Sequence, residues 1–221
     1  MVIAMAIRRG RTVLGASRRS VNVNDHYYSK QPRAAHQPYE LRLELGGIEL
    51  SLISDAGVFS RRAVDSGTLI LLSHVPPPQG GLILDIGCGY GPIGLYYAAS
   101  CPRCIVHMTD VNTRAVALSR QNASRNGLVN VVVHESTFPP DADLRFDLII
   151  TNPPIRAGRR VLLEIFAGAQ QRLHPGGRFA FVARTQQGAK RLATDVERYF
   201  GNVSDVARGG GYRVYAAVKE S

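Results

Sequence analysis

From residue 41 the chain alternates apolar and polar positions through Leu41-Arg42-Leu43-Glu44-Leu45, pauses at Gly46-Gly47, and alternates again through Ile48-Glu49-Leu50-Ser51-Leu52. A period of two on both sides of a glycine pair predicts a β-hairpin. Its place ahead of the main elements predicts a cover at one edge of the sheet. After a loop over 55–60, Val64, Thr68, Leu69, Leu71 and Leu72 recur at helical spacing from about residue 63. Pro76-Pro77-Pro78 ends that helix, because proline has no N–H to continue it. Short apolar runs and helix-period stretches then take turns. Strands are predicted over 82–86, 104–109, 129–133, 146–151 and 178–183, and helices over 92–100, 112–126, 158–172 and 186–199. The end departs from this rhythm: apolar runs over 203–206 and 212–218 flank Gly209-Gly210-Gly211, a second hairpin. Alternating strands and helices with a terminal hairpin imply an α/β fold, a doubly wound sheet with one antiparallel strand.

In such a sheet, ligands bind beyond the carboxyl ends of the central strands. The strand 82–86 runs into Gly87-Cys88-Gly89-Tyr90-Gly91-Pro92-Ile93-Gly94, a glycine-rich turn leading to a helix N-terminus. Glycines there let the backbone approach a ligand closely, and free N–H groups would point at it. Nineteen residues after Gly91, Asp110 ends the second strand of the alternating series, where a carboxylate can accept hydrogen bonds from both hydroxyls of a ribose. As a helix cap it has competitors in Asn112 and Thr113. The strand 146–151 ends in Asn152-Pro153-Pro154-Ile155. Two prolines hold the backbone extended and remove two donors, leaving carbonyls and the Asn152 amide to face a site. Such a set can hold a planar amino group by its hydrogens. The Asn152 oxygen and the Pro153 carbonyl would each accept one N–H, with the nitrogen lone pair turned toward an alkyl donor. The spacing Gly89-x-Gly91-x-x-Gly94 also fits a nicotinamide-dinucleotide loop, but an oxidoreductase leaves Asn152-Pro153-Pro154 without a task.

Asp85-x-Gly87-x-Gly89-x-Gly91 resembles the S-adenosylmethionine (SAM) loop of class I methyltransferases, and Asn152-Pro153-Pro154-Ile155 resembles the motif of enzymes that methylate exocyclic or amide nitrogens. Together with Tyr27-Tyr28, Gly57-Val58-Phe59-Ser60, Asp65-x-Gly67-Thr68 and Arg156-Ala157-Gly158, these stretches are similar to the methyltransferase small domain of the ribosomal RNA guanine-N2 methyltransferases, the small-subunit methyltransferase C type. The resemblance runs from about Asp25 to Lys219 and corresponds to the single-domain form. It implies a Rossmann-like, seven-stranded sheet of order 3-2-1-4-5-7-6 with the last strand antiparallel, preceded by the N-terminal hairpin. It implies SAM as cofactor, held by Asp85, Gly87, Cys88, Gly89, Gly91, Asp110, Val111 and Asn152, and transfer to guanine N2 of 16S rRNA with Asn152, Pro153, Pro154 and Ile155 at the reacting nitrogen. In Val133-His134-Glu135-Ser136, Glu135 or Ser136 takes the place of the aspartate common near the adenine amino group. A protein glutamine amide or adenine N6 is the alternative acceptor, although those families more often carry an aromatic residue where Ile155 stands. A non-catalytic RNA-binding domain is a further alternative, against which Asn152 and Asp110 both speak.

Composition adds the partner. The net charge of +10 favours an anionic partner such as RNA, but residues 1–33 hold seven basic side chains and one acidic, +6 of that total. Residues 1–24 lack periodicity and are expected to be a basic, disordered tail, with the methyltransferase domain over 25–221. Arg156, Arg159 and Arg160 fall at the start of the helix 158–172, where cations oppose the helix dipole and an RNA phosphate would relieve the conflict. Tyr28, with Tyr27, and Phe59 are candidates for stacking on an exposed base; for Phe59, core packing is an equal alternative. Cys101-x-x-Cys104 lacks the second pair that a zinc site needs, so no metal is expected and the two read as turn cysteines. No apolar run reaches the roughly 18 residues of a membrane span, and three cysteines without a secretory signal point to a reducing cytoplasm.

Overall fold

The computed structural model describes residues 35–221. The expected basic tail and the stacking candidates Tyr27 and Tyr28 lie outside the described residues. A two-stranded sheet, β1 (Tyr39–Leu45) and β2 (Ile48–Ser54), is followed by α1 (Ser66–His74), β3 (Gly81–Ile86), α2 (Pro92–Ser100), β4 (Cys104–Asp110), α3 (Thr113–Arg125), β5 (Val131–Glu135), β6 (Phe146–Thr151), α4 (Arg159–Arg172), β7 (Leu173–Arg184), α5 (Ala189–Phe200), β8 (Ser204–Gly209) and β9 (Tyr212–Val218). The main sheet runs β5-β4-β3-β6-β7-β9-β8, with β9 antiparallel to both neighbours and the other pairings parallel. This is the order 3-2-1-4-5-7-6 implied above.

The strands separate two apolar layers with the period of two that a pleat imposes. Ile83, Leu148, Ile150, Ala180 and Val182 face one core, which holds α1, α2, α3 and the hairpin. Leu84, Ile86, Ile149, Phe179 and Phe181 face the other, covered by α4 and α5. Gly94 marks a close approach of α2 to β4, since a Cβ there would sit 2.6 Å from Met108 Cγ.

The N-terminal hairpin forms a cover that stands apart from the main sheet. It packs over α2 and α3, held by Asn122, whose amide takes the Ile53 N–H at 2.8 Å and donates to the Ile53 carbonyl at 2.8 Å. The strand expected over 178–183 is longer, because residues from Leu173 onward already pair with Phe146 across a register irregularity. Cys101 and Cys104 are joined as a disulfide that closes the turn between α2 and β4, rather than standing as separate turn cysteines. No helix among the described residues is long and apolar enough to cross a membrane.

Candidate active site

The carboxyl ends of β3, β4 and β6 meet at one cavity of about 710 Å³, within the usual range for a small-molecule site. β3 opens into it through a turn whose three glycines have φ of 71° (Gly87), 59° (Gly89) and 99° (Gly91), a left-handed region that other residues enter only at a cost. A Cβ at Gly87 or Gly89 would find no atom within 4 Å, so the turn faces open space. Its N–H groups are not left free, contrary to the expectation. Gly87 and Cys88 donate to the Thr109 carbonyl at 2.8 and 2.9 Å, Gly91 donates to the Cys88 carbonyl, and Gly89 donates to Asp110 Oδ2 at 2.9 Å. The turn is thus stitched to the end of β4, and its shape rather than its free donors faces the cavity.

Asp110 reaches the cavity from β4. Its second oxygen accepts the Asn112 N–H at 2.9 Å. Burial pushes its carboxyl up, while hydrogen bonds from the N–H groups of Asn112, Gly89 and Val111 hold it down. Three donors leave one of the four lone-pair sites of the carboxylate for a further donor. Asn112, not Asp110, caps α3, taking the N–H groups of Arg114 and Ala115. The Asn112 amide also donates to the Gly57 carbonyl at 3.0 Å, which fastens the loop 55–62 over the cavity and brings Phe59, Arg61 and Arg62 to its wall. Asp85 lies wholly buried one turn behind, with Oδ2 on the Gly94 N–H at 2.9 Å and Oδ1 without a hydrogen-bond partner. Burial raises its carboxyl to about 7 against that hydrogen bond.

On the opposite wall, Thr151 Oγ1 donates to the Ile86 carbonyl at 2.7 Å and ties the end of β6 to the end of β3. Asn152 therefore stands beside the glycine turn. Its Nδ2 donates to Asp65 Oδ2 at 3.2 Å and to Thr68 Oγ1 at 3.1 Å. Both amide hydrogens are spent inward, and no hydrogen bond to Oδ1 is formed among the described residues. Pro154, at φ −76° and ψ 78°, centres an inverse γ-turn in which the Ile155 N–H donates to the Pro153 carbonyl at 2.9 Å. One lone pair of that carbonyl is thereby taken and one remains.

The cavity brings together Gly87, Cys88, Gly89, Asp110, Asn152, Pro153, Pro154, Ile155, Phe59 and Arg156. Asp85 and Gly91 act from behind the turn, and Val111 contributes a backbone N–H to Asp110. Glu135 and Ser136 do not line the cavity. Glu135 pairs with Asp110 in the sheet, and the Ser136 hydroxyl donates to the Phe138 carbonyl. Cys88 is buried, and burial pushes its thiol up, away from the thiolate form. Phe59 is 40 % exposed at the wall. Arg159 and Arg160 are placed differently from Arg156. Arg159 makes a forked pair with buried Asp195, at 3.2 and 2.6 Å, and Arg160 pairs with Glu164 one turn along α4. An acid from α5 and one from α4 itself thus pair with these two cations. Arg61, Arg62, Arg184 and Tyr212 also line the cavity; sequence reading missed them because each arrives by a tertiary approach, and no local motif marks it.

A doubly wound sheet with β9 reversed, a glycine turn beside an acidic strand end and Asn-Pro-Pro on the facing strand define a class I SAM-dependent methyltransferase. Residues 49–216 match the family described as the methyltransferase small domain, and the chain belongs to that family. It is 38 % identical over 200 residues to the uncharacterized protein YbxB of Bacillus subtilis, covering 89 % of this chain and all of that one. It is 33 % identical over 193 residues to ribosomal RNA small subunit methyltransferase C of Enterobacter sp. (strain 638), covering 86 % of this chain and 55 % of the relative. The chain thus spans about half the length of the methyltransferase C relatives it matches. The T. thermophilus 16S rRNA guanine-N2 methyltransferase RsmC, solved in complex with AdoMet and guanosine, superposes with a TM-score of 0.73 at 26 % identity, over 86 % of this chain and 52 % of that one.

The site suits SAM. Its volume, the open space before Gly87 and Gly89 and the spare lone-pair site of Asp110 offer a trough with an anionic acceptor for a cationic nucleoside. When bound, SAM supplies an activated methyl group.

Proposed function

We propose that the protein methylates an exocyclic amino nitrogen, guanine N2 of small-subunit ribosomal RNA. The observation that carries this reading is the direction of the Asn152 amide: both N–H groups point into the protein and the carbonyl oxygen is left for a donor in the cavity. An amino group offers such donors and a keto oxygen does not. Asn152 Oδ1 and the remaining lone pair of the Pro153 carbonyl would hold the two hydrogens of the target nitrogen, which turns its lone pair toward the methyl donor. As the N–C bond forms, the S–C bond breaks with its electrons going to sulfur, and the surplus proton on nitrogen leaves to water. Most of the rate would come from position, because the donor is already activated.

A base reaches this cavity only if unstacked or flipped from its helix. The rim supports an RNA partner: Arg61, Arg62, Arg156 and Arg184 border the mouth, and none of the four forms an ion pair among the described residues. Phe59 offers a ring at the same wall. A ribosomal substrate places this work in the cytoplasm. The deciding experiment is mass mapping of methylated nucleotides in rRNA from cells with and without this protein. The expected result is loss of one N2-methylguanosine in the small-subunit rRNA; an unchanged rRNA map overturns the substrate.

A further inference from the structure

We infer that Asp65, Thr68 and Tyr212 form a clamp that fixes the Asn152 amide in its acceptor orientation, and so are positioning residues for methyl transfer. The inference rests on the reading of Asn152 as the acceptor for the target amino group. An unrestrained asparagine can present its oxygen or its NH₂ after a half-turn about its last side-chain torsion, and the two ends are similar in size. Only the first end holds an amino group. The protein therefore has to spend something to choose, and these three residues supply the choice.

Thr68 Oγ1 and Asp65 Oδ2 take one Asn152 hydrogen each. A flipped amide would set its oxygen against the Asp65 carboxylate, oxygen to oxygen at hydrogen-bond distance, which like charges forbid. Asp65 is itself held. Its Oδ2 also accepts the N–H groups of Gly67 and Thr68 as the cap of α1, at 2.9 and 3.3 Å, and its Oδ1 accepts the Tyr212 hydroxyl at 2.7 Å. Tyr212 comes from β9, 147 residues away from Asp65. Its hydroxyl remains a donor at any working pH, since burial, followed by the Asp65 hydrogen bond, pushes it up to about 12. The ring is seated twice over. Arg184 stacks above it at 4.7 Å, and Gly67 leaves room below, where a Cβ would lie 2.4 Å from the ring. The first turn of α1, the reversed strand β9 and the end of β6 thus converge on one amide.

The test uses Thr68→Val, which keeps the shape and removes the acceptor, and Thr68→Ser, which restores it. Asp65→Ser joins them, since serine still caps α1 but is too short to reach Asn152. The first readout needs no substrate: exchange of the Asn152 side-chain amide protons by ¹⁵N NMR of the full chain, with Asn152→Ala identifying the pair of signals. Protection in the parent and in Thr68→Ser, and faster exchange in Thr68→Val and Asp65→Ser, is the expected result. The second readout is methyl transfer from labelled SAM to unmethylated 16S rRNA. Thr68→Val and Asp65→Ser should lower kcat about 10- to 100-fold, the usual range for a residue that orients another. SAM binding by calorimetry should stay within about threefold, and Thr68→Ser should recover most of the rate. Equal exchange in all variants overturns the clamp, and so does unchanged kcat in the presence of altered exchange. Failure of the parent to methylate the RNA counts against the proposed substrate instead, and the exchange data still decide the clamp.

Discussion

At the scale of single residues, Asn152 and Asp85 make opposite use of burial. Asn152 keeps its amide oxygen at the cavity and spends its amide nitrogen inside. Asn152→Ala should reduce transfer at least about 100-fold, as for loss of one oriented polar group at a reacting centre, and weaken SAM binding far less. Calorimetry alongside a transfer assay checks both halves, and a parental rate in the variant removes Asn152 from the chemistry. Asp85 is fully buried with its pKa raised from 3.8 to about 7. A carboxyl raised in the folded state binds its proton more tightly there than in the unfolded chain, so its contribution to stability falls as pH rises from about 4 to about 7 and is level beyond. The slope is at most about 1.4 kcal/mol per pH unit. Urea unfolding of the parent and of Asp85→Asn across that window should show the parent losing ground to the variant as pH rises. Parallel curves would mean that Asp85 is ionised at no cost.

At the scale of elements, α1 illustrates how a weak local signal gains meaning from its neighbours. Its apolar spacing was legible, but its start was read three residues early, because the cap at Asp65 looks the same in sequence whether or not it serves anything else. Gly67 tests the packing. Alanine is the better helix former by about 1 kcal/mol, so a gain in stability from Gly67→Ala would mean that the Tyr212 ring yields freely. The contact of 2.4 Å predicts instead a loss of about 1–3 kcal/mol, read from the denaturation midpoint. Helix α4 shows the converse case. A run of arginines at a helix start suggested phosphate contacts, yet Arg159 closes on buried Asp195 of α5 and belongs to the packing of two helices. Arg159→Ala should lower the Tm and leave affinity for a small-subunit rRNA fragment unchanged. Arg156→Ala should do the reverse, and matched effects from both would reject the distinction.

At the scale of the whole molecule, charge is divided by location rather than spread. Of the net +10, +6 lies in residues 1–33, and in the remainder many arginines are matched to acids while Arg61, Arg62, Arg156 and Arg184 gather at the cavity mouth. RNA affinity should therefore fall steeply with salt, and each of these arginines that contacts a phosphate should lower the log–log slope by about 1 when replaced by alanine. Fluorescence titrations at several salt concentrations measure it. A slope unchanged when all four are replaced places the RNA elsewhere.

Hydrophobic period and glycine–proline punctuation determined the strands and the helices, because those depend on which face of each segment must leave water, while the sheet order came with the resemblance to the methyltransferase family. The pairing of a glycine turn with Asp110 and Asn-Pro-Pro was legible for the same reason: strand ends in a doubly wound sheet meet at a known place. Only the tertiary structure decided which polar atoms remained available once the fold had taken its share. It consumed the N–H groups of the glycine turn, paired Arg159 with Asp195, seated the hairpin on α2 and α3, and carried Tyr212 across the chain to Asp65. A hydrogen bond is settled by distance and competition in space, and a chain 221 residues long writes neither into its local pattern.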